Sequence, residues 1–166
     1  MEHEVLDPKT PTESPDILAY WKAAKSGHPG TYWYVSLLGL HQSEPLEIVR
    51  HIEQGLSFRA FERFRRNSQF STAVLADLVA IKTRTLQRRK EQGRLAPEES
   101  DRLLRVTRLF SKALELFEGD AEAARNWFHV PAKALGGAQP IALARTDLGS
   151  REVETLIDRL EHGVLT

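Results

Sequence analysis

Residues 71–93, STAVLADLVAIKTRTLQRRKEQG, constrain the fold of this chain more than any other stretch. Leu75, Leu78 and Val79 recur at helical spacing. The apolar period then breaks over residues 80–83 and resumes on a second segment. That segment turns Leu86 inward and Arg84, Gln87, Arg88, Arg89 and Lys90 largely outward. Two short helices, a tight turn and a basic second helix are the parts of a helix-turn-helix. The spacing of Ala76, Val79 and Ile81 suits two helices that cross closely.

Charge gives this reading a chemistry. The chain holds 23 basic and 23 acidic residues, for a formal net charge of zero. Yet residues 82–94 carry Lys82, Arg84, Arg88, Arg89, Lys90 and Arg94 against Glu91 alone. Concentrated positive charge on a groove-sized helix fits a phosphate backbone, although a solvated basic face carries the same charge. Arg84, Gln87 and Arg88 share a helix face at i, i+3 and i+4. Arg forks onto guanine and Gln onto adenine in the major groove, so these three are the candidate base readers. Lys82, Thr83, Arg89, Lys90 and Arg94 are the candidate phosphate contacts. Arg59, Arg63, Arg65 and Arg66 either extend that footprint or form an ordinary charged helix surface.

The rest of the chain predicts an all-α protein. Pro45–Gln54 presents Leu46, Val49 and Ile52 on one face and ends at Gly55. Ser57 is the expected cap of a helix with Phe58, Phe61 and Phe64 inside. Ser71 and Thr83 are the expected caps of the two helix-turn-helix segments. A long helix opens at Pro97 with Glu98 and Glu99 in its first turn, which suits the helix dipole. Leu103, Val106, Phe110, Ala113 and Phe117 line its inner face, and Gly119 stops it. Asp120 caps the next helix, which brings Trp127 and Phe128 into the core. A short helical turn follows over residues 139–146. The last helix is expected over residues 150–162, with Val153, Leu156 and Leu160 inward. Upstream, residues 1–16 read as a poorly ordered lead-in and residues 16–25 as a short helix. Residues 31–40, TYWYVSLLGL, suit either a strand or the start of a buried helix. The implied division is an N-terminal extension over 1–43, partly flexible, a helix-turn-helix domain over 44–95 and a C-terminal helical domain over 96–166.

Enzyme chemistry finds little support. There is no cysteine, which removes thiol catalysis and cysteine metal sites and agrees with a reducing cytoplasm. The histidines, His3, His28, His41, His51, His129 and His162, do not pair at ligand spacing within a helix. No glycine-rich phosphate loop and no nucleophile elbow is present. The reading assigns no catalytic residue, metal or cofactor, no membrane span and no secretory signal.

Residues 147–166 are acidic, with Asp147, Glu152, Glu154, Asp158 and Glu161 against Arg151 and Arg159. A basic middle and an acidic end imply two different partners. The tail Glu161, His162, Gly163, Val164, Leu165 and Thr166 offers carboxylates flanking two apolar side chains. Such a tail either frays idly or plugs a cationic, partly apolar pocket.

The segments TLQRRK from Thr85, GRLAPEESDRLLR from Gly93, ALGGAQP from Ala134 and EHGV from Glu161 occur in a fixed order. In that order they resemble the Xre/MbcA/ParS-type antitoxins of bacterial toxin–antitoxin pairs, over about residues 44–166. The resemblance implies an Xre-like helix-turn-helix domain that binds the operon's own promoter as an autorepressor. It also implies a C-terminal domain that pairs with itself and holds a RES-domain toxin, an enzyme that destroys NAD. The recognition helix would map onto residues 84–90, and the toxin-covering end onto Glu161 to Thr166. Expected partners are therefore the toxin, operator DNA and a second copy of the chain. A stand-alone transcription regulator is the alternative. Three positions depart from the usual motif. Ala80 stands where glycine is common, which argues against a positive φ in the turn. Lys82 stands where a serine cap is common, and Arg89 where many recognition helices carry an apolar anchor.

Overall fold

The computed structural model describes residues 33–40 and 44–164. The expected helix over residues 16–25 lies outside them. The described residues form eight α-helices and two short 3-10 turns, with no strand beyond an isolated Ser57–Arg94 bridge. They are α1 (Pro45–Gln54), α2 (Phe58–Ser68), α3 (Thr72–Leu78), α4 (Thr83–Gln92), α5 (Pro97–Leu116), α6 (Ala121–Trp127), α7 (Pro140–Leu143) and α8 (Asp147–Glu161). The 3-10 turns are Trp33–Leu38 and Lys133–Leu135.

The open choice at residues 31–40 resolves as the first 3-10 turn. Tyr34, Val35, Leu37 and Leu38 are buried there, and its apolar run serves as core rather than as strand. Its side chains decide how α1 sits. Ile48 packs with Tyr34 and Val35, and Ile52 and Leu104 flank them. Leu46 and Val49, expected inward, are instead 70% and 47% exposed. Helical period finds an apolar stripe, but the neighbour decides which stripe is covered.

Behind the helix-turn-helix lies one continuous core. Phe58, Phe61 and Phe64 of α2, Leu75 and Leu78 of α3, and Leu103, Val106, Phe110 and Ala113 of α5 all belong to it. So do Ala124 and Phe128 at α6, and Val153 and Ile157 of α8. α5, about 30 Å long at 1.5 Å per residue, touches α1, α2, α3, α6 and α8. Phe117 sits only half-buried at its C-cap, where Glu118 and Gly119 turn the chain with positive φ.

A side-chain cap sets three of the eight helix starts among the described residues. The Ser71 hydroxyl accepts from Val74 N–H at 3.2 Å, and the Asp120 carboxylate from Ala123 N–H at 2.9 Å. Ser57 occupies a cap position but makes no side-chain cap bond. α8 begins a turn earlier than expected, because the Thr146 hydroxyl accepts from Gly149 N–H at 3.0 Å. Gly149 is required there: a Cβ would lie 2.0 Å from the Leu143 carbonyl oxygen. Gly55 is equally constrained, with φ +81° and the Leu95 carbonyl 2.2 Å from where a Cβ would stand.

Candidate nucleic-acid and partner interfaces

The helix-turn-helix is α3, the turn over residues 79–82, and α4. α3 buries Leu75, Ala76 and Leu78 and is followed by buried Val79 and Ile81. Its end is closed by two backbone bonds. Ile81 N–H reaches Ala76 C=O at 2.8 Å and Ala80 N–H reaches Asp77 C=O at 3.0 Å. This is the Schellman arrangement, which needs a left-handed residue between. Ala80 supplies it, with φ +54°. The expectation that an alanine here would avoid positive φ is thus corrected: the two bonds and burial of Ile81 hold Ala80 in that conformation.

α4 starts at Thr83 with Lys82 as the cap residue, and neither provides a side-chain cap bond. The expected Thr83 cap is therefore replaced by an uncapped start. Lys82, Thr83, Arg84, Gln87, Arg88 and Lys90 are all exposed. Among the described residues, Lys82, Arg84, Arg88 and Lys90 enter no ion pair, while Gln87 donates to Glu91 within the helix. Three unpaired cations on one exposed helix, with a fourth at its cap, form an electrostatic surface for a polyanion.

Two of the expected phosphate contacts also hold hydrogen bonds within the chain itself. Arg89 Nε donates to Glu99 Oε2 at 2.7 Å and Nη2 to Glu99 Oε1 at 3.1 Å, a side-on fork. Arg94 donates to the carbonyls of Gln54 and Gly55, both at 2.9 Å. Arg89 takes the place of the apolar anchor common at this position, with its charge matched by Glu99. Burial pushes the Glu99 carboxyl up. The Arg89 hydrogen bond, the Ala96 N–H and the charges of Arg89 and Arg102 outweigh that and hold it below its usual range. The bond to Glu99 likewise raises Arg89. Sequence reasoning missed Glu99 as a partner because ten residues and a turn separate the two.

At the other end, α8 lies along α5. Val153, Leu156 and Ile157 face the core. Arg108 donates to Glu154 and Lys112 to Asp158, both at 2.8 Å. Arg151 takes Asp147 within α8. Two of the five acids gathered in this stretch, Glu154 and Asp158, thus fasten the helix to α5. Among the described acids of α8, Glu152 and Glu161 have no ion-pair partner. The helix closes as α3 does. Val164 N–H bonds Arg159 C=O at 2.9 Å and Gly163 takes φ +68°. Val164 lines a groove of about 240 Å³ together with Trp127, Val130, Pro131, Leu160, Lys133 and Arg159. Glu161, His162, Gly163 and Val164 are exposed. Leu165 and Thr166 lie outside the described residues.

Fold and surfaces define a two-module binding protein: a DNA-binding helix-turn-helix joined through one long helix to a second helical module. Residues 47–108 match the Antitoxin Xre-like helix-turn-helix domain. Residues 112–163 match the Antitoxin Xre/MbcA/ParS C-terminal toxin-binding domain. An Antitoxin Xre of Yersinia enterocolitica is 36% identical over 130 residues, which cover 78% of this chain and 88% of that protein. An Antitoxin Xre of Photorhabdus laumondii is 29% identical over 69% of this chain and 78% of its own length. A Sphingobium protein named Prs ADP-ribosylating antitoxin is 24% identical over 75% of this chain and 84% of its own. The chain belongs to the Xre antitoxin family, whose modules bind DNA and toxin and are not enzymes. No helix among the described residues is long and apolar enough to cross a membrane.

Proposed function

We propose that this antitoxin neutralises a RES-domain toxin that degrades NAD, covers the toxin's active site with residues 161–166, and represses its own promoter as a homodimer in the cytoplasm. The observation that carries the toxin arm is the chain reversal at Gly163. It leaves Glu161, His162 and Val164 exposed at the end of a helix fastened to α5 by two ion pairs. A tail on so fixed a base loses little freedom when it enters a partner's pocket. A dinucleotide pocket is basic, and the exposed Glu161 carboxylate complements it. The Sphingobium relative is named for ADP-ribosylation, a reaction that consumes NAD, which supports an NAD-using partner. The promoter arm rests on exposed Arg84, Gln87 and Arg88, with Lys82, Thr83 and Lys90 beside them.

The test is co-purification with the product of the adjacent reading frame, followed by an NAD-consumption assay. The full chain should suppress NAD loss, and a chain lacking residues 162–166 should bind less or protect less while keeping its circular dichroism spectrum. Equal protection by the shortened chain would refute tail coverage. A partner that leaves NAD intact would refute the toxin class.

A further inference from the structure

α4 is weakly anchored by apolar contact. It contains no buried residue, and Leu86, half-buried, is its main apolar link to the core. Its start carries no side-chain cap. Its orientation therefore depends on polar ties at its C-terminal half. Arg89 forks onto Glu99, with side chains only 19% and 10% exposed. The same Glu99 Oε2 accepts Ala96 N–H at 2.7 Å. Next to it, the Ser100 hydroxyl accepts Leu56 N–H at 2.8 Å, and Phe58 N–H reaches Gly93 C=O at 2.9 Å. One carboxylate thus joins the exposed basic helix to the first turn of the helix that runs through the core.

We propose that Glu99 and Arg89 are positioning residues for DNA recognition, and that Arg89 acts by fixing the angle of α4 rather than by touching phosphate. The inference rests on the DNA-binding reading of α4. It makes a signed prediction. If Arg89 is a phosphate ligand restrained by Glu99, removing the acid frees a cation and tightens every duplex. If the pair is a brace, removing the acid loosens α4, so base contacts of Arg84, Gln87 and Arg88 suffer while general backbone attraction persists.

Binding should be measured by fluorescence anisotropy across a salt series, with the full-length chain. The probes are a duplex spanning the DNA directly upstream of this reading frame and a scrambled duplex of equal length and composition. Glu99→Gln and Arg89→Ala should each weaken the upstream duplex roughly tenfold, about the worth of one base contact. Scrambled-duplex affinity should hold for Glu99→Gln, and the scrambled-duplex salt slope should hold for both. Arg89→Lys should recover part of the loss. Amide exchange should quicken in α4 and not in α5 for Glu99→Gln, which reports the brace even without DNA. Tighter binding by Glu99→Gln, or a salt slope shallower by about 0.9 for Arg89→Ala, would overturn the inference while leaving the DNA reading intact. A wild-type chain that binds neither duplex would overturn both.

Discussion

Phe110 and Phe128 stack with ring centroids 6.3 Å apart and planes 16° from parallel. Phe70 meets both rings edge-on, at 5.7 and 6.0 Å. Phe70 lies within the match to the DNA-binding module and Phe128 within the match to the toxin-binding module. Phe110 falls in the short stretch between the two matches. The modules therefore share one aromatic centre. Phe110→Ala should destabilise the protein by about 3–5 kcal/mol. Urea unfolding should remain a single transition by both fluorescence and circular dichroism. Two separated transitions would show that the modules melt independently.

Ala80 carries a conformation that alanine tolerates poorly, at φ +54° on an exposed site. A left-handed L-residue costs roughly 1–2 kcal/mol, and glycine gives back about 0.5–1 kcal/mol in backbone entropy. Ala80→Gly should raise stability by up to ~1.5 kcal/mol on those two figures. Thermal denaturation measures it, and a lowered Tm would contradict the strain argument.

Glu99 is held below its ordinary value of 4.5. A carboxyl with a lowered folded pKa contributes stability that is fully present above the unfolded value. That contribution is lost as pH falls through the folded value. Wild-type protein should therefore lose more stability than Glu99→Gln between pH 7 and pH 3. Parallel pH profiles in denaturant titrations would mean that the Arg89 bridge contributes nothing to folding.

On α4, Arg84→Ala or Arg88→Ala should relax base preference at one position of the bound duplex, at about 1–3 kcal/mol each. Lys90→Ala should weaken all duplexes alike and flatten the salt slope by about 0.9. The same uniform loss from all three substitutions would contradict the division between base readers and phosphate contacts.

Gly149 closes a tight approach at the start of α8, where a Cβ would meet the Leu143 carbonyl at 2.0 Å. Gly149→Ala should cost about 1–3 kcal/mol through forced backbone displacement. Toxin capture should weaken with it. An unchanged midpoint in urea would mean that the Thr146 turn relaxes freely.

Local pattern alone determined where most of the helices of this protein lie. Pro45–Gln54 ends at Gly55, and Ser71 and Asp120 cap as their side chains dictate, because capping and period are properties of neighbouring residues. The basic surface of α4 was legible for the same reason: exposed charge needs no partner to be recognised. Tertiary structure alone decided which charges are free. Arg89 is taken by Glu99, Arg94 by two carbonyls, and Glu154 and Asp158 by Arg108 and Lys112, across separations that no local period encodes. It also turned Leu46 and Val49 outward, since Tyr34 and Val35 claim the Ile48 side of α1. Periodicity states that a face is apolar or charged; only the element packed opposite determines whether that face is covered, neutralised or left for a partner.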